Sequence, residues 1–223
     1  MSPRQAKSAM YEQFARAGKA LSSPKRLELL DLLAQGERTV ESLATGAGLG
    51  LSTASQHLQA LKDSGMVRAR RQGTYMHYRL AGDDVAELFA LLRTVAATHL
   101  ADAERAATAY LGAPESDVDP VAREELLRRA RRGDVVVLDV RPTVEFTSGH
   151  IPGAVSVPLD ELERRLHDLP DDVEVVAYCR GAYCVFAYDA VRLLATAGRR
   201  ARRLHEGMLE WRLAGLPVET GAA

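Results

Sequence analysis

The chain of 223 residues is 47% hydrophobic, 26% charged and 5% aromatic, with a formal net charge of -1. This composition excludes a disordered, collagen-like or coiled-coil protein. No apolar run approaches the roughly 20 residues that a membrane helix needs, and the N-terminus lacks the apolar core of a signal peptide. We therefore expect a cytoplasmic protein with no membrane partner. Basic residues exceed acidic ones by three over residues 1–112, and acidic residues exceed basic ones by four over 113–223, so the first half is the better candidate for contact with a polyanion.

The segment 112–120 combines one glycine, two prolines and three acidic residues without helical periodicity. We interpret it as a linker between one domain over residues 1–111 and another over residues 121–223. Helical patterning dominates before the linker. After it, short apolar runs alternate with helical segments, which is typical of strand–helix units around a parallel sheet. The predicted fold class is a mainly α domain followed by an α/β domain.

The first domain contains a predicted N-terminal helix (11–21), a second helix over residues 25–34 and a third over residues 40–46. A glycine-rich turn then leads into a fourth helix, over residues 51–63. In that last helix three apolar residues recur at i, i+4 and i+7 and should be buried, namely Ala54, Leu58 and Leu61.

The remaining faces of the helix over residues 51–63 carry small hydroxyl and amide side chains, which suit contacts with phosphates and base edges. They are the candidate DNA-binding residues Ser52, Thr53, Ser55, Gln56 and Gln59. Capping of the helix by Ser52 is an alternative that would by itself account for that serine.

Residues 66–80 predict a β-hairpin that turns at Gln72-Gly73 and carries Arg68, Arg70 and Arg71 on one arm. A basic hairpin beside a helix-turn-helix is a winged helix, in which the wing lies along the phosphates of duplex DNA. A solvated basic face would account for the arginines alone, but not for this order of elements.

The string LSTASQHLQALKDSGMVRARRQGTYMHYRL resembles the recognition helix and wing of ArsR/SmtB-type repressors, and the resemblance covers roughly residues 10–105. It implies a dimeric winged-helix-turn-helix repressor that binds an inverted-repeat operator in double-stranded DNA.

The helix after the hairpin supports a homodimer. Asp84 and Glu87 form a start that resembles a capping box, and one stripe of the helix then carries the apolar residues Val85, Leu88, Phe89, Leu92 and Val95. Because little of its own domain remains to cover this stripe, we expect it to pair with its symmetry mate and with the N-terminal helix. A helix packed wholly inside its own domain is the alternative.

The sequence departs from the metal-sensing members of the resembled family. Many of them carry paired cysteines in the helix before the turn, where this chain has Thr39 and Glu41. His99 has no spaced partner that would complete a zinc site, and we expect a surface or interface histidine there. We therefore predict neither a metal site nor a cofactor.

In the second half, the string LDVRPTVEFTSGHIPGA (138–154) and the string EGMLEWRLAGLP (206–217) flank a predicted strand, a loop and a helix. This order resembles a rhodanese-like domain, an α/β fold with a parallel sheet, over about residues 120–218. Several residues of the two strings are expected to hold the scaffold rather than touch substrate, namely Asp139, Arg141, Glu145, His150 and Trp211.

The loop between the predicted strand and helix is the candidate catalytic site, with residues Cys179, Arg180, Gly181, Ala182, Tyr183 and Cys184. A cysteine at the end of a strand, followed by a tight loop and a helix, lies where backbone N–H groups and the helix dipole converge. That field favours the nucleophilic thiolate. The resemblance implies that Cys179 takes up sulfane sulfur as a persulfide. Arg180 either adds positive charge near the incoming anion or pairs with an acid outside the loop.

Many rhodaneses have arginine at the last position of the loop, where this chain has Cys184. The loss of that arginine should weaken oxyanion binding and lower thiosulfate turnover. Phosphatases and arsenate reductases of this fold place an arginine where this chain has Val185, so their chemistry is disfavoured. Cys184 could instead resolve a persulfide on Cys179 into a disulfide or hold a bridging polysulfide. A buried, inert Cys184 is the alternative.

The first half has a predicted DNA-binding surface but no sensor, and the second half has a predicted reactive thiol but no DNA-binding surface. Together they predict a one-component repressor. Its operator affinity would depend on reactive sulfur species (persulfide, polysulfide or thiosulfate) or on thiol redox state, sensed at the cysteine loop. The second hypothesis is a sulfurtransferase that passes sulfur to a thiol or to cyanide and carries an autoregulatory DNA-binding domain. A third, a catalytically dead dimerisation module, conflicts with the intact Cys179.

Overall fold

The computed structural model describes residues 1–112 and 120–222. The chain divides into two compact units, Met1–Phe89 and Ala90–Ala223. Within the described residues, no helix has the length and hydropathy that a membrane crossing requires. Most of the predicted linker, residues 113–119, lies outside the described residues, and the predicted domain boundaries stay a prediction.

The first unit is helical with a small antiparallel sheet in the order β1-β3-β2. Its elements are α1 (Pro3–Leu21), α2 (Pro24–Ala34), β1 (Arg38–Thr39), α3 (Val40–Gly46), α4 (Leu51–Asp63), β2 (Val67–Gln72) and β3 (Tyr75–Leu80). Helix α5 (Asp83–His99) begins in this unit and continues into the second. Helix α1 starts earlier than its apolar pattern predicts, because Ser2 and Gln5 form a capping box ahead of Tyr11.

The core of the first unit confirms the predicted buried face of α4, since Ala54, Leu58 and Leu61 are fully buried. The hairpin also forms, but its turn differs from the prediction by one residue. Gln72 pairs with Tyr75, so the two turn residues are Gly73 and Thr74. Gly73 adopts a φ of 60°, a left-handed conformation that only glycine reaches without strain, and this fixes the position of the turn.

The predicted capping box at the start of α5 is wrong. The helix already begins at Asp83, which places Asp84 inside the first turn. The Asp84 carboxylate accepts a hydrogen bond from the backbone N–H of its neighbour Val85 at 3.0 Å and not from a residue three positions further on.

The second unit is an α/β fold with a four-stranded parallel sheet in the order β5-β4-β6-β7, as predicted. Its helices are α6 (Ala101–Leu111), α7 (Arg123–Arg132), α8 (Thr143–Ser148), α9 (Leu159–Leu162), α10 (Val185–Thr196) and α11 (Met208–Leu213). Its strands are β4 (Val135–Asp139), β5 (Val155–Ser156), β6 (Glu174–Tyr178) and β7 (Ala201–Arg203).

Successive side chains of the central strand β6 point to opposite faces of the sheet, and both faces are covered by helices. Val175 and Ala177 pack with residues of α9 and α10, whereas Val176 and Tyr178 pack with residues of α7 and α11. Because side chains alternate with a period of two, Cys179 continues the first set and joins the core on the α10 side.

A buried ion pair holds the carboxyl end of β4. Asp139 and Arg141 are both 0% exposed, and Arg141 donates through Nε and Nη2 to Asp139 and through Nη2 to the Gly149 carbonyl at 2.8 Å. The Tyr178 hydroxyl also donates to Asp139. Burial, together with the Asp139 carboxylate, raises the pKa of Tyr178 well above its usual value. These contacts confirm the predicted scaffold role of Asp139 and Arg141.

We predict that Asp139→Ala lowers the free energy of unfolding by about 3–5 kcal/mol, because it removes the carboxylate that faces a buried guanidinium. Denaturant titration followed by fluorescence of Trp211, the single tryptophan, measures this change in the second unit. Asp168→Ala is the control: it breaks the exposed 2.8 Å pair with Arg165 and should cost about 1 kcal/mol or less. A similarly small loss for Asp139→Ala would contradict the prediction.

Candidate functional site

The polar face of α4 is exposed at Ser52, Thr53, Gln56 and Gln59 and partly exposed at Ser55. The residue that precedes the helix is Gly50, and no side chain caps the first turn. Ser52 therefore does not cap α4, and the alternative explanation for this serine is not realised. Ser55 Oγ donates to the Leu51 carbonyl at 2.9 Å, and Gln59 Nε2 donates to Asp63 Oδ1 at 2.6 Å.

The three wing arginines are exposed on β2 but differ in their partners. Arg70 Nε donates to both carboxylate oxygens of Glu37 at 2.9 Å, and these hydrogen bonds lower the pKa of Glu37. Arg71 Nε donates to the Gly73 carbonyl at 3.0 Å. Within the described part of the chain, no carboxylate forms an ion pair with Arg68 or Arg71, so no ion pair neutralises the charge of either arginine.

The cysteine loop connects the end of β6 to the start of α10. The sulfurs of Cys179 and Cys184 form a disulfide, and their Cα atoms are 6.1 Å apart. Cys179 is 1% exposed, whereas Cys184 is partly exposed. The predicted nucleophile Cys179 is therefore closed to solvent in this state, because the residue continues the buried set of β6. The alternative of a buried, inert Cys184 differs from the structure.

The loop presents backbone donors at the N-terminal end of α10. The Cys184 N–H donates to the Gly181 carbonyl at 3.1 Å and closes a turn. No acceptor in the described part of the chain pairs with the N–H groups of Gly181, Ala182 and Tyr183. These donors, together with the first turn of a twelve-residue helix, can stabilise an anion.

Arg180 takes the second of its two predicted roles. Its Nε donates to both oxygens of Glu145 at 3.0 Å, and its Nη2 donates to Oε1 at 2.6 Å. The Glu145 side chain on α8 is fully buried. The pair therefore anchors the loop to α8, and the charge of Arg180 is balanced by an acid outside the loop.

Three residues outside the loop support it: Gly207 and Glu210, which belong to the string 206–217, and Arg93, which no motif contains. A Cβ on Gly207 would lie 2.3 Å from the Gly181 nitrogen, so only glycine fits there. The Gly207 N–H donates to Glu210 Oε2 at 3.0 Å, and Glu210 forms an ion pair with Arg93 of α5. The Arg93 guanidinium also lies 5.5 Å from the centre of the Tyr183 ring. Arg93 was missed because a lone arginine on a helix is indistinguishable in sequence from an ordinary surface charge.

Side chains that could bind a metal ion are not clustered in the described residues. Among the described residues, no group of three or more His, Cys, Asp or Glu side chains is arranged to hold a metal ion. His99 is exposed at the end of α5.

Comparison with known proteins defines the class. Residues 23–69 match the family model "bacterial regulatory protein, arsR family", and residues 122–214 match that of the rhodanese-like domain. The winged helix and the cysteine loop thus define a helix-turn-helix transcriptional regulator with a rhodanese-like domain.

Individual relatives agree with this class. The HTH-type transcriptional regulator Rv0324 of Mycobacterium tuberculosis is 58% identical over 216 residues, which cover 97% of this chain and 94% of that protein. The chain therefore belongs to the ArsR family of transcriptional regulators. A sulfurtransferase of Allochromatium vinosum is 33% identical over 103 residues, covering 45% of this chain and 94% of that protein. A solved fragment from Mycobacterium bovis, described as a homodimeric winged helix-turn-helix DNA-binding domain, is 57% identical and covers 46% of this chain and 93% of its own, with a TM-score of 0.42.

Proposed function

We propose that this regulator is a cytoplasmic, homodimeric repressor whose affinity for an inverted-repeat operator depends on the sulfur or redox state of Cys179 and Cys184. The observation that carries the proposal is the pair of cysteines in one loop, at the end of the central strand, close enough to be joined. The spacing of their Cα atoms lies within the range that a disulfide spans without backbone movement.

DNA binding is supported by the side chains that α4 and the wing expose. The hydroxyl and amide groups of α4 suit the edges of bases, and Arg68 and Arg71 offer charges that no carboxylate of the described residues neutralises. Phosphate contacts of this kind position a protein on the duplex, and base contacts then specify the sequence.

A homodimer is supported by apolar residues that the first helix and α5 leave exposed. On α1 these are Met10, Tyr11 and Phe14, and on α5 they are Leu88, Leu91 and Val95. Val85 and Phe89 of the predicted stripe are buried, so the chain's own fold covers only part of it. A second copy of the chain would bury the exposed apolar side chains and remove them from water.

The proposed sensing chemistry uses both sulfurs. The Cys179 thiolate attacks the outer sulfur of a persulfide RSSH, which forms Cys179–SSH and releases the thiolate RS⁻. The Cys184 thiolate then attacks the Cys179 sulfur, breaks its bond to the outer sulfur and releases HS⁻, leaving the disulfide. Thiosulfate can supply the same sulfane sulfur and leaves as sulfite, and the loop N–H groups would stabilise each anionic sulfur.

The contact of Arg93 with Glu210 and Tyr183 offers a route from the loop to α5. The Arg93 and Glu210 side chains are 18% and 17% exposed, so the ion pair is largely shielded from solvent. Tyr183 belongs to the loop, and α5 also carries Val85 and Phe89 of the first unit. A difference of about 2.7 kcal/mol between two loop states would change operator affinity about 100-fold.

The alternative function is sulfur transfer, favoured by the likeness to a protein named as a sulfurtransferase. It predicts robust thiosulfate:cyanide turnover that Cys184→Ser hardly changes. If the protein is a sensor, Cys184 is required to convert the persulfide on Cys179 into a disulfide. The disulfide removes the Cys179 nucleophile, so turnover stops.

For the DNA contact, we expect Arg71→Ala to weaken binding to operator and random duplexes alike and to reduce the slope of log affinity against log salt by about 1. Fluorescence anisotropy at several salt concentrations measures both effects. Arg70→Ala is the matched comparison and should have a smaller effect, because Glu37 already neutralises Arg70. A loss confined to one base position would mean that the wing does not follow the phosphates.

For the sensor, polysulfide treatment of the reduced protein should weaken operator binding about 100-fold in the wild type and leave Cys179→Ser unaffected. Gel shifts measure affinity, and mass spectrometry of the loop peptide should detect one added sulfur atom or a Cys179–Cys184 bond. Cys184→Ser should keep the persulfide without forming the disulfide. An equal response in Cys179→Ser would place the signal elsewhere.

For the coupling route, Arg93→Gln should leave the loop chemistry intact but reduce the operator response from about 100-fold to a few-fold. The peptide mass of the treated loop and the gel shift are measured on the same sample. Arg105→Gln is the control, because it removes an exposed arginine of α6 whose single ion-pair partner among the described residues is Asp102. A full response in Arg93→Gln would exclude this route.

A further inference from the structure

A cavity of about 580 Å³ lies within the second unit, beside the cysteine loop. Tyr183 of the loop and Tyr188 of α10 form part of its wall, and four alanines of α5 and α6 form an apolar side. Cavities of roughly 300–1,000 Å³ with an apolar lining and a few polar groups are the usual binding sites of small molecules.

Three charged residues line this cavity. Arg93 is paired with Glu210, and the other two, Arg203 and Glu104, have opposite charges and lie on different elements. Arg203, at the end of β7, stacks at 4.4 Å on the Tyr188 ring and donates to the carbonyls of Leu204 and His205 at 3.3 Å. Glu104 lies on α6. Within the described residues, neither side chain forms an ion pair with the other or with any third group, so a ligand with both charges could pair with both.

We infer that the cavity binds a small thiol with an amino-carboxylate group, of the amino-acid or short-peptide type. Arg203 binds the carboxylate, Glu104 binds the ammonium group, and the methylene groups pack against the tyrosine rings and the alanines. Charge-assisted hydrogen bonds at both ends distinguish this class from thiols with one charge or none. Neither cysteine lines the cavity, but Tyr183, which does, directly precedes Cys184 in the loop, and we therefore place the thiol end of the ligand at the Tyr183 side of the cavity.

The inference rests on the proposed function, in which it supplies the reductant that resets the sensor. The ligand thiolate attacks the Cys184 sulfur, since Cys179 is buried. The disulfide bond breaks, and Cys179 leaves as a thiolate next to the loop N–H groups. A second molecule of the same thiol attacks the mixed disulfide, releases the ligand's own disulfide and leaves the Cys184 thiolate, which takes up a proton. Two ligand thiols are oxidised and one protein disulfide is reduced.

Calorimetry of the oxidised full-length chain with S-methyl-L-cysteine, which cannot react, tests binding. We expect saturable binding that weakens about tenfold or more for 3-(methylthio)propionate, which lacks the ammonium group, and for 2-(methylthio)ethylamine, which lacks the carboxylate. Arg203→Gln and Glu104→Gln should each weaken binding similarly. The exposed controls Arg128→Gln and Glu163→Gln should leave it unchanged. Absence of saturable binding, or equal binding of all three probes, overturns the inference.

Reduction kinetics provide the second measurement, made without DNA. The rate of disulfide reduction should saturate with L-cysteine, and Arg203→Gln should slow it about tenfold while reduction by uncharged dithiothreitol stays unchanged. Equal slowing with both reductants would indicate a structural defect and overturn the assignment of Arg203. If the probe binds but operator affinity does not depend on the oxidation state of the loop, the regulatory proposal fails and the cavity assignment stands. If operator affinity depends on that state but no probe binds, the cavity assignment fails and the regulatory proposal stands.

Discussion

The close approach of Gly207 to the backbone of Gly181 is the constraint on which the arrangement around the cysteine loop depends. A side chain at Gly207 would overlap the Gly181 nitrogen and the Cys179 carbonyl, so the start of α11 can lie against the loop only as glycine. The Met208 N–H then donates to the Cys179 carbonyl, and the Leu209 N–H to that of Arg180. The same approach brings Glu210 beside the loop, where Arg93 reaches it.

The position of Cys179 determines which chemistry the loop favours. As the residue after the central strand it is part of a packed core, and its bond to Cys184 leaves the second cysteine as the more accessible sulfur. An enzyme that turns over needs its nucleophile free after each cycle. A sensor needs two interconvertible states, and the reduced thiol pair and the disulfide of one loop would be such states. The balanced pair of Arg180 and Glu145 favours the same reading, because it leaves little free positive charge for an incoming oxyanion.

In the DNA-binding half, tertiary contacts decide which arginine charges are already neutralised by an ion pair. The sequence does not distinguish the three arginines on one arm of the hairpin. In the structure Glu37, thirty-three residues away, neutralises only Arg70. The two other arginines of that arm, Arg68 and Arg71, have no carboxylate partner within the described residues. A count of basic residues in the wing therefore overstates its effective charge.

The sequence by itself determined the order of the elements, the parallel sheet, the buried face of α4, the cysteine loop and the membership of both halves in their families. These follow from short-range periodicity and from motifs with local spacing, and such signals survive without knowledge of long-range contacts. Only the tertiary structure decided the partners: Glu145 for Arg180, Glu37 for Arg70, and Glu210 for Arg93 across 117 residues. It also decided the burial of Cys179, because whether the residue after a strand is exposed depends on what packs over that strand. Such pairings arise where distant segments meet, and nothing in the local pattern around either partner records them.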